Sequence, residues 1–170
     1  MRRILSGVLL MLLVGALAGC GMSNGALRLE DFAHKDKHKK DGVLAANATY
    51  VDKGQWHYRD GAFGLAEKNF RAAVEKEPSN AEAWVGLAAS YDQLRRFDHA
   101  ERAYQTVIRL VGHTPTVLNN LGYHYYLMGN KQSAIQTLER AHAADPDNQY
   151  IVNNLQTVRG TAVGATSSKG

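Results

Sequence analysis

The chain has 170 residues, a formal net charge of +4, 45% hydrophobic residues and one cysteine. A single thiol excludes an internal disulfide, so stability has to come from packing. The positive balance has no basic stripe behind it: Asn47 to Asn148 carries 11 Lys and Arg against 12 Asp and Glu, which excludes the electrostatic footprint of a nucleic-acid binder.

The chain opens with Met1-Arg2-Arg3, followed from Ile4 to Ala18 by residues that are apolar apart from Ser6. A charged start, a short apolar run and a small-residue exit predict a secretory signal peptide over residues 1–19. The run is too short for a membrane-spanning helix, which needs about 20 apolar residues. Leu17-Ala18-Gly19-Cys20 resembles a bacterial lipobox. The resemblance implies cleavage before Cys20 and lipid attachment to its thiol, the one side chain whose thiolate is a good nucleophile. Gly21, rather than Asp, after the cysteine is similar to lipoproteins sorted to the outer membrane, which implies lipid anchoring on the periplasmic face. Multiple acyl chains hold a protein on a bilayer at about 0.8 kcal/mol per buried methylene.

Residues 20–46 are small, polar and mixed in charge, and read as a lipid-anchored flexible tether. His34 and His38 are four apart, but the lysines around them oppose a cation, so they read as a solvated charge run; no metal and no cofactor is expected.

From residue 47 a period of 34 sets in. Ala66, Ala100 and Ala134 keep the step, as do Tyr50, Trp84 and Leu118, and Phe70, Tyr104 and Leu138. Apolar residues three, four and seven apart mark amphipathic helices. Gly54, Ala88 and Gly122 leave room for a partner helix, and Gly61 and Gly129 fall where a turn is needed. Pro78 and Pro146 close second helices. This pattern resembles the tetratricopeptide repeat. The expected fold is all-α: a solenoid of three helix-turn-helix repeats over residues 47–80, 81–114 and 115–148, with a capping helix over 149–159 and a disordered tail over 160–170. Repeat one is the least regular, with Lys53 and His57 at normally apolar positions. A solvent-facing first repeat tolerates both; the alternative is a docking face at the anchored end.

The resemblance implies a concave surface lined by the second, fifth, ninth and twelfth residues of each repeat. Carried onto this chain, its peptide-binding candidates are Gln55, Tyr58, Asp92, Asn119, Tyr123, Tyr126 and Asn153, with Ala48, Val51, Glu82, Val85, Ala89, Thr116, Tyr150 and Thr157 alongside. An Asn amide donates and accepts at once, and tyrosines supply contact area at low entropy cost. Asn119-Asn120 and Asn153-Asn154 lie one repeat apart, so Asn119 and Asn153 are expected to face inward to the groove, away from the core residues Leu118, Leu121 and Tyr125, and to hold successive backbone groups of a bound segment. The Lys/Arg clamp that some family members use on a terminal carboxylate is missing.

LNNLGYHYYLMGNKQSAIQTLERAHAADPDNQYIVNNL resembles the small tetratricopeptide lipoproteins of Tad/Flp pilus assembly systems. That implies a periplasmic adaptor for a protein or peptide segment of a secretion or pilus component, with the membrane contacted through the N-terminal lipid. An adaptor for peptidoglycan enzymes and a self-associating structural lipoprotein are the alternatives, and the oligomeric state is left open. The histidines of the repeat region, His57, His99, His113, His124 and His142, are expected on different helix faces, with no nucleophile–base pair and no phosphate loop, so catalysis is not expected.

Overall fold

The structure, a computed structural model, describes residues 48–160. The expected signal peptide, Cys20, the tether with His34 and His38, and the tail from residue 161 lie outside the described residues. Seven α-helices follow one another: α1 (Tyr50–Arg59), α2 (Phe63–Lys76), α3 (Ala81–Gln93), α4 (Phe97–Val111), α5 (Pro115–Leu127), α6 (Lys131–Ala144) and α7 (Gln149–Arg159). No strand occurs among the described residues, and no helix there is long and apolar enough to cross a membrane. The helices pair as α1–α2, α3–α4 and α5–α6, each pair stacks on the next, and α7 packs against α5 and α6. This is the all-α solenoid expected from the 34-residue period.

Local chemistry fixes the helix starts. Asn80, Thr114 and Asn148 recur at 34-residue steps, and each accepts a hydrogen bond from the first turn of the helix it opens. These oxygens satisfy amides that have no partner inside the helix. Pro115 adds a preset φ where its missing N–H costs nothing. Repeat one differs. The frame of Ala81 and Pro115 puts its start at Asn47, yet α1 begins three residues later, at Tyr50. Thr49 and Asp52 close a capping box there, bonding each other's backbone N–H. Ala48, expected on the concave face, therefore precedes the helix.

Three alanines and three large residues carry the packing. Ala66, Ala100 and Ala134 are fully buried, as are Phe70 and Leu138, and Tyr104 nearly so. Phe70 lies between two glycines: a Cβ on Gly54 would come within 2.8 Å of its ring, and one on Gly86 within 2.4 Å. Gly122 serves Leu138 the same way, at 2.6 Å. Fully burying a side chain of this size stabilises by about 1.5–3 kcal/mol, provided the helices come close enough to remove the surrounding voids.

The turns inside the repeats share one geometry. Gly61 and Gly129 have φ of 78° and 82°, and the residue between them in the frame, Arg95, takes φ 61° despite its side chain. A left-handed non-Gly residue costs about 1–2 kcal/mol. Arg95 offsets this with two contacts: its Nη1 donates to the Leu127 carbonyl at 2.9 Å, and its guanidinium lies 4.8 Å from the centre of the Phe97 ring.

Candidate functional site

The first helices α1, α3, α5 and α7 line one side of the stack. Small and apolar residues, Val85 and Ala89, are buried beneath that surface. At one end Gln55 Nε2 donates to Glu82 Oε1 at 2.6 Å and ties α1 to α3. Beside this bond lies a depression of about 880 Å³, lined by Tyr50, Val51, Lys53, Ala73, Lys76 and Glu82 among others. It sits at the late start of α1.

At the other end three tyrosines, Tyr58, Tyr123 and Tyr126, gather around Gln93. Gln93, the last residue of α3, hydrogen-bonds to both Tyr58 on α1 and Tyr123 on α5. The Tyr58 ring packs edge-on to Phe63, with centroids 5.2 Å apart. Tyr123 and Tyr126 stack obliquely, their centroids 6.0 Å apart. Burial pushes the hydroxyls of Tyr58 and Tyr123 above their ordinary range, so both remain protonated donors at any physiological pH. Tyr58 is buried, Tyr123 half-buried, and Tyr126 37% exposed. Met128, 49% exposed, lies two residues beyond. The open part of this end is therefore a tyrosine lip at the α5–α6 turn.

Three of the expected site residues are closed off. Tyr58 supports the lip from beneath. Asn119 is 5% exposed, and its Oδ1 accepts from Asn154 Nδ2 at 3.0 Å. The expectation that Asn119 is open to the groove is corrected by its burial and this bond. The fifth position of each repeat is covered by the first helix of the next, and α7 covers Asn119. Asn153 has no repeat after it and stays exposed. The bonded amides are thus Asn119 and Asn154, not Asn119 and Asn153 waiting for a backbone.

Asp92 is the third. It is buried, with Oδ1 2.5 Å from His124 Nδ1 and Oδ2 accepting from the Tyr104 hydroxyl at 3.0 Å. The opposite ring nitrogen of His124 lies 3.2 Å from Glu101 Oε2. Burial alone would lower the His124 pKa, but the hydrogen bond and charge of Asp92, joined by Glu101, outweigh it and raise it. Burial in turn pushes Asp92 up, with His124 and Tyr104 opposing. The sequence shows no nucleophile–base pair and points to no acidic partner for His124, and the structure supplies two such partners. The available signal was positional: its counterparts in the frame, Ser90 and Val158, are both buried. The cluster is closed to solvent except at Glu101, so it has no room for a substrate. Among the described residues no group of three or more His, Cys, Asp or Glu side chains is arranged to hold a metal ion. Lys53 and His57 lie on α1 beside the depression and Trp56; Lys53 Nζ stands 5.7 Å from the Tyr50 ring centre, and the Trp56 and His57 rings meet edge-on at 4.9 Å.

Tetratricopeptide-repeat family models match residues 51–98 and 79–147, together more than half of the chain. The chain is 38% identical over 80 residues to the peroxisomal targeting signal receptor of Yarrowia lipolytica, covering 47% of this chain and 13% of that protein. It is 28% identical over 134 residues to the cytochrome c-type biogenesis protein CycH of Bradyrhizobium diazoefficiens, covering 76% of this chain and 32% of that one. The chain thus spans about a third or less of these curated relatives. Among solved structures, the first tetratricopeptide domain of human RPAP3 superimposes with a TM-score of 0.59 at 19% identity, covering 66% of this chain and 88% of that one. The second RPAP3 domain, solved with an HSP70 peptide, gives 0.56 at 20% identity, covering 65% and 92%. At these identities the likeness is one of fold.

Proposed function

The chain carries tetratricopeptide repeats over residues 51–147, and on that premise we propose that it is a lipid-anchored periplasmic adaptor that binds a segment of a partner protein along its inner face. The observation that carries the reading is the tyrosine lip: Tyr123 and Tyr126, braced by Gln93 and Tyr58, form a firm and partly exposed aromatic edge on the concave side of the array. Tyrosines held in this way bind with little further loss of side-chain entropy. Three repeats give room for one helix or one extended segment. LAGC behind a charged start and an apolar run supports anchoring through Cys20, and the Tad/Flp resemblance supports a pilus or secretin component at the outer membrane as the partner.

The test has two arms. Cys20→Ala is expected to leave unprocessed precursor in the inner membrane; fractionation of this variant with the outer membrane removes the anchoring part. A photo-crosslinking residue at Tyr126 is expected to capture a pilus or secretin component in native membranes, while one at exposed Glu139 on α6 captures none. Equal capture from both positions removes the inner-face part. A second reading rests on the likeness to CycH, which covers 76% of this chain. Under it the partner is a component of cytochrome c assembly, and deletion lowers c-type cytochromes while leaving pili intact.

A further inference from the structure

We propose that the junction between the second and third repeats is a proton-operated hinge: protonated His124 clamps α3, α4 and α5 together through Asp92 and Glu101, and loss of that proton loosens α5–α7 from α1–α4. The geometry is that of a bridge. Each ring nitrogen meets a carboxylate from a different helix, Asp92 on α3 at 2.5 Å and Glu101 on α4 at 3.2 Å. Only a doubly protonated imidazole donates to both at once. The neutral ring leaves one carboxylate facing a lone pair.

The groups facing the ring on every side carry no compensating cation. From α4 come Glu101, Tyr104 and Phe97; from α3, Asp92; from α5 itself, Tyr125. Tyr58 and Tyr123 lie further out, close enough to act on Asp92 and Tyr104. All the tyrosines are neutral at physiological pH, so the proton on His124 is the one positive charge among these groups set against two carboxylates. Burial of an ion pair is tolerated while both partners remain, and removing one charge leaves the other stranded.

The sign follows from the direction of the shift. The folded pKa of His124 lies above its ordinary value of 6.5. Its stabilisation is therefore complete below about 6.5 and is lost as pH rises through the folded value. The apolar core is thinner across this junction than within the repeats on either side. The fully buried part of the main cluster reaches into repeat three at Val117 and Leu121, and half-buried Tyr125 packs between it and the cluster that α6 and α7 share, while Leu118 closes a third cluster with α6 and α7. The hinge goes beyond the adaptor reading and needs no partner.

The experiment is amide hydrogen exchange on the full chain between pH 5.5 and 8.5, corrected for intrinsic exchange, with His124 followed by NMR. Protection of α5–α7 is expected to fall by about tenfold for each unit of pKa difference between bound and free imidazole, with α1–α2 unchanged. The midpoint should coincide with the His124 titration. Glu101→Gln, at a half-exposed position, should move that midpoint to lower pH, and His124→Gln should make protection independent of pH. Protection of wild-type α5–α7 that does not change with pH overturns the hinge. So does a Glu101→Gln midpoint equal to that of wild type, or loosening shared equally by all seven helices. If His124→Gln does not fold, the Glu101→Gln comparison decides alone.

Discussion

At the junction of repeats one and two, Gly86 lies against the Phe70 ring and Ser90 turns its hydroxyl back onto the Gly86 carbonyl. At the junction of repeats two and three, the same two helix positions hold Asn120 and His124. The first pair lets α2 and α3 run close along their length, whereas α4 and α5 meet over a shorter stretch. The first junction is therefore the more closely packed, with its polar ties, Gln55–Glu82, Glu67–Arg96 and Arg71–Tyr91, reaching the surface, whereas the second places a charged pair, Asp92 and His124, inside the packing. Asn120 shows the cost of the second arrangement: its amide nitrogen is buried with no hydrogen-bond partner among the described residues. Repeat proteins behave as chains of units coupled to their nearest neighbours, so a difference between two junctions sets where the array parts first. In this array the weak coupling lies between repeats two and three.

The strongest way to break the comparison is to empty the apolar junction. Phe70→Ala removes a fully buried ring held between two glycines, and should cost about 3–5 kcal/mol, measured by urea unfolding. If the loss is under about 1 kcal/mol, the first junction is not the tighter one. Next is Asp92→Ala, which strands His124 and the Tyr104 hydroxyl and should cost about 3 kcal/mol. Replacing Asp92 and His124 together with Leu should recover much of that loss, since a well-packed apolar pair often replaces a buried ion pair without penalty. A double variant as unstable as the single one would show that the polar junction depends on shape rather than on charge. Gly86→Ala sharpens the comparison, because it places a methyl group 2.4 Å from the Phe70 ring. It should cost about 1–3 kcal/mol by thermal melting, and Asn120→Ala, at the same position one repeat on, should be neutral or stabilising. The smallest contrast lies in the two asparagines once paired by the sequence. Asn119→Ala should cost about 1–2 kcal/mol by leaving the Asn154 amide unsatisfied, and Asn153→Ala should stay within about 0.5 kcal/mol. Equal effects in a melting experiment would place both on the surface.

These two junctions also mark what a sequence can reveal. The 34-residue step of Ala66, Ala100 and Ala134, with that of Phe70, Tyr104 and Leu138, exposes the repeat because close helix packing repeats its steric demand at each turn. Gly86 escaped notice because its counterparts are Asp52, Asn120 and Asn154, and no periodic signal survives where each junction is filled differently. The partners of His124 escaped for another reason. Asp92 and Glu101 belong to the preceding repeat, and a pairing between repeats is visible only once the stacking is known. Among the site residues, Tyr126 and Asn153 are exposed and Tyr123 is half-buried, while Tyr58, Asp92 and Asn119 are covered. The frame gives the direction in which a side chain points but not whether a later helix closes over it. The late start of α1 was likewise hidden, since Thr49 and Asp52 cap locally and override the period.

Arg95 has a mechanical consequence. Its guanidinium reaches from the turn of repeat two to the last carbonyl of α5, and its strained backbone holds that reach in place. The Arg95–Leu127 contact acts as a strut along the outer edge of the weaker junction. When the two halves part there, they pivot about this strut instead of sliding, so motion concentrates on the side away from it. A load placed on Tyr126, one residue from the strut's footing at Leu127, is passed directly into repeat two. The rim of the array is stiff where a partner would press on it, and any compliance lies deeper, in the buried charges.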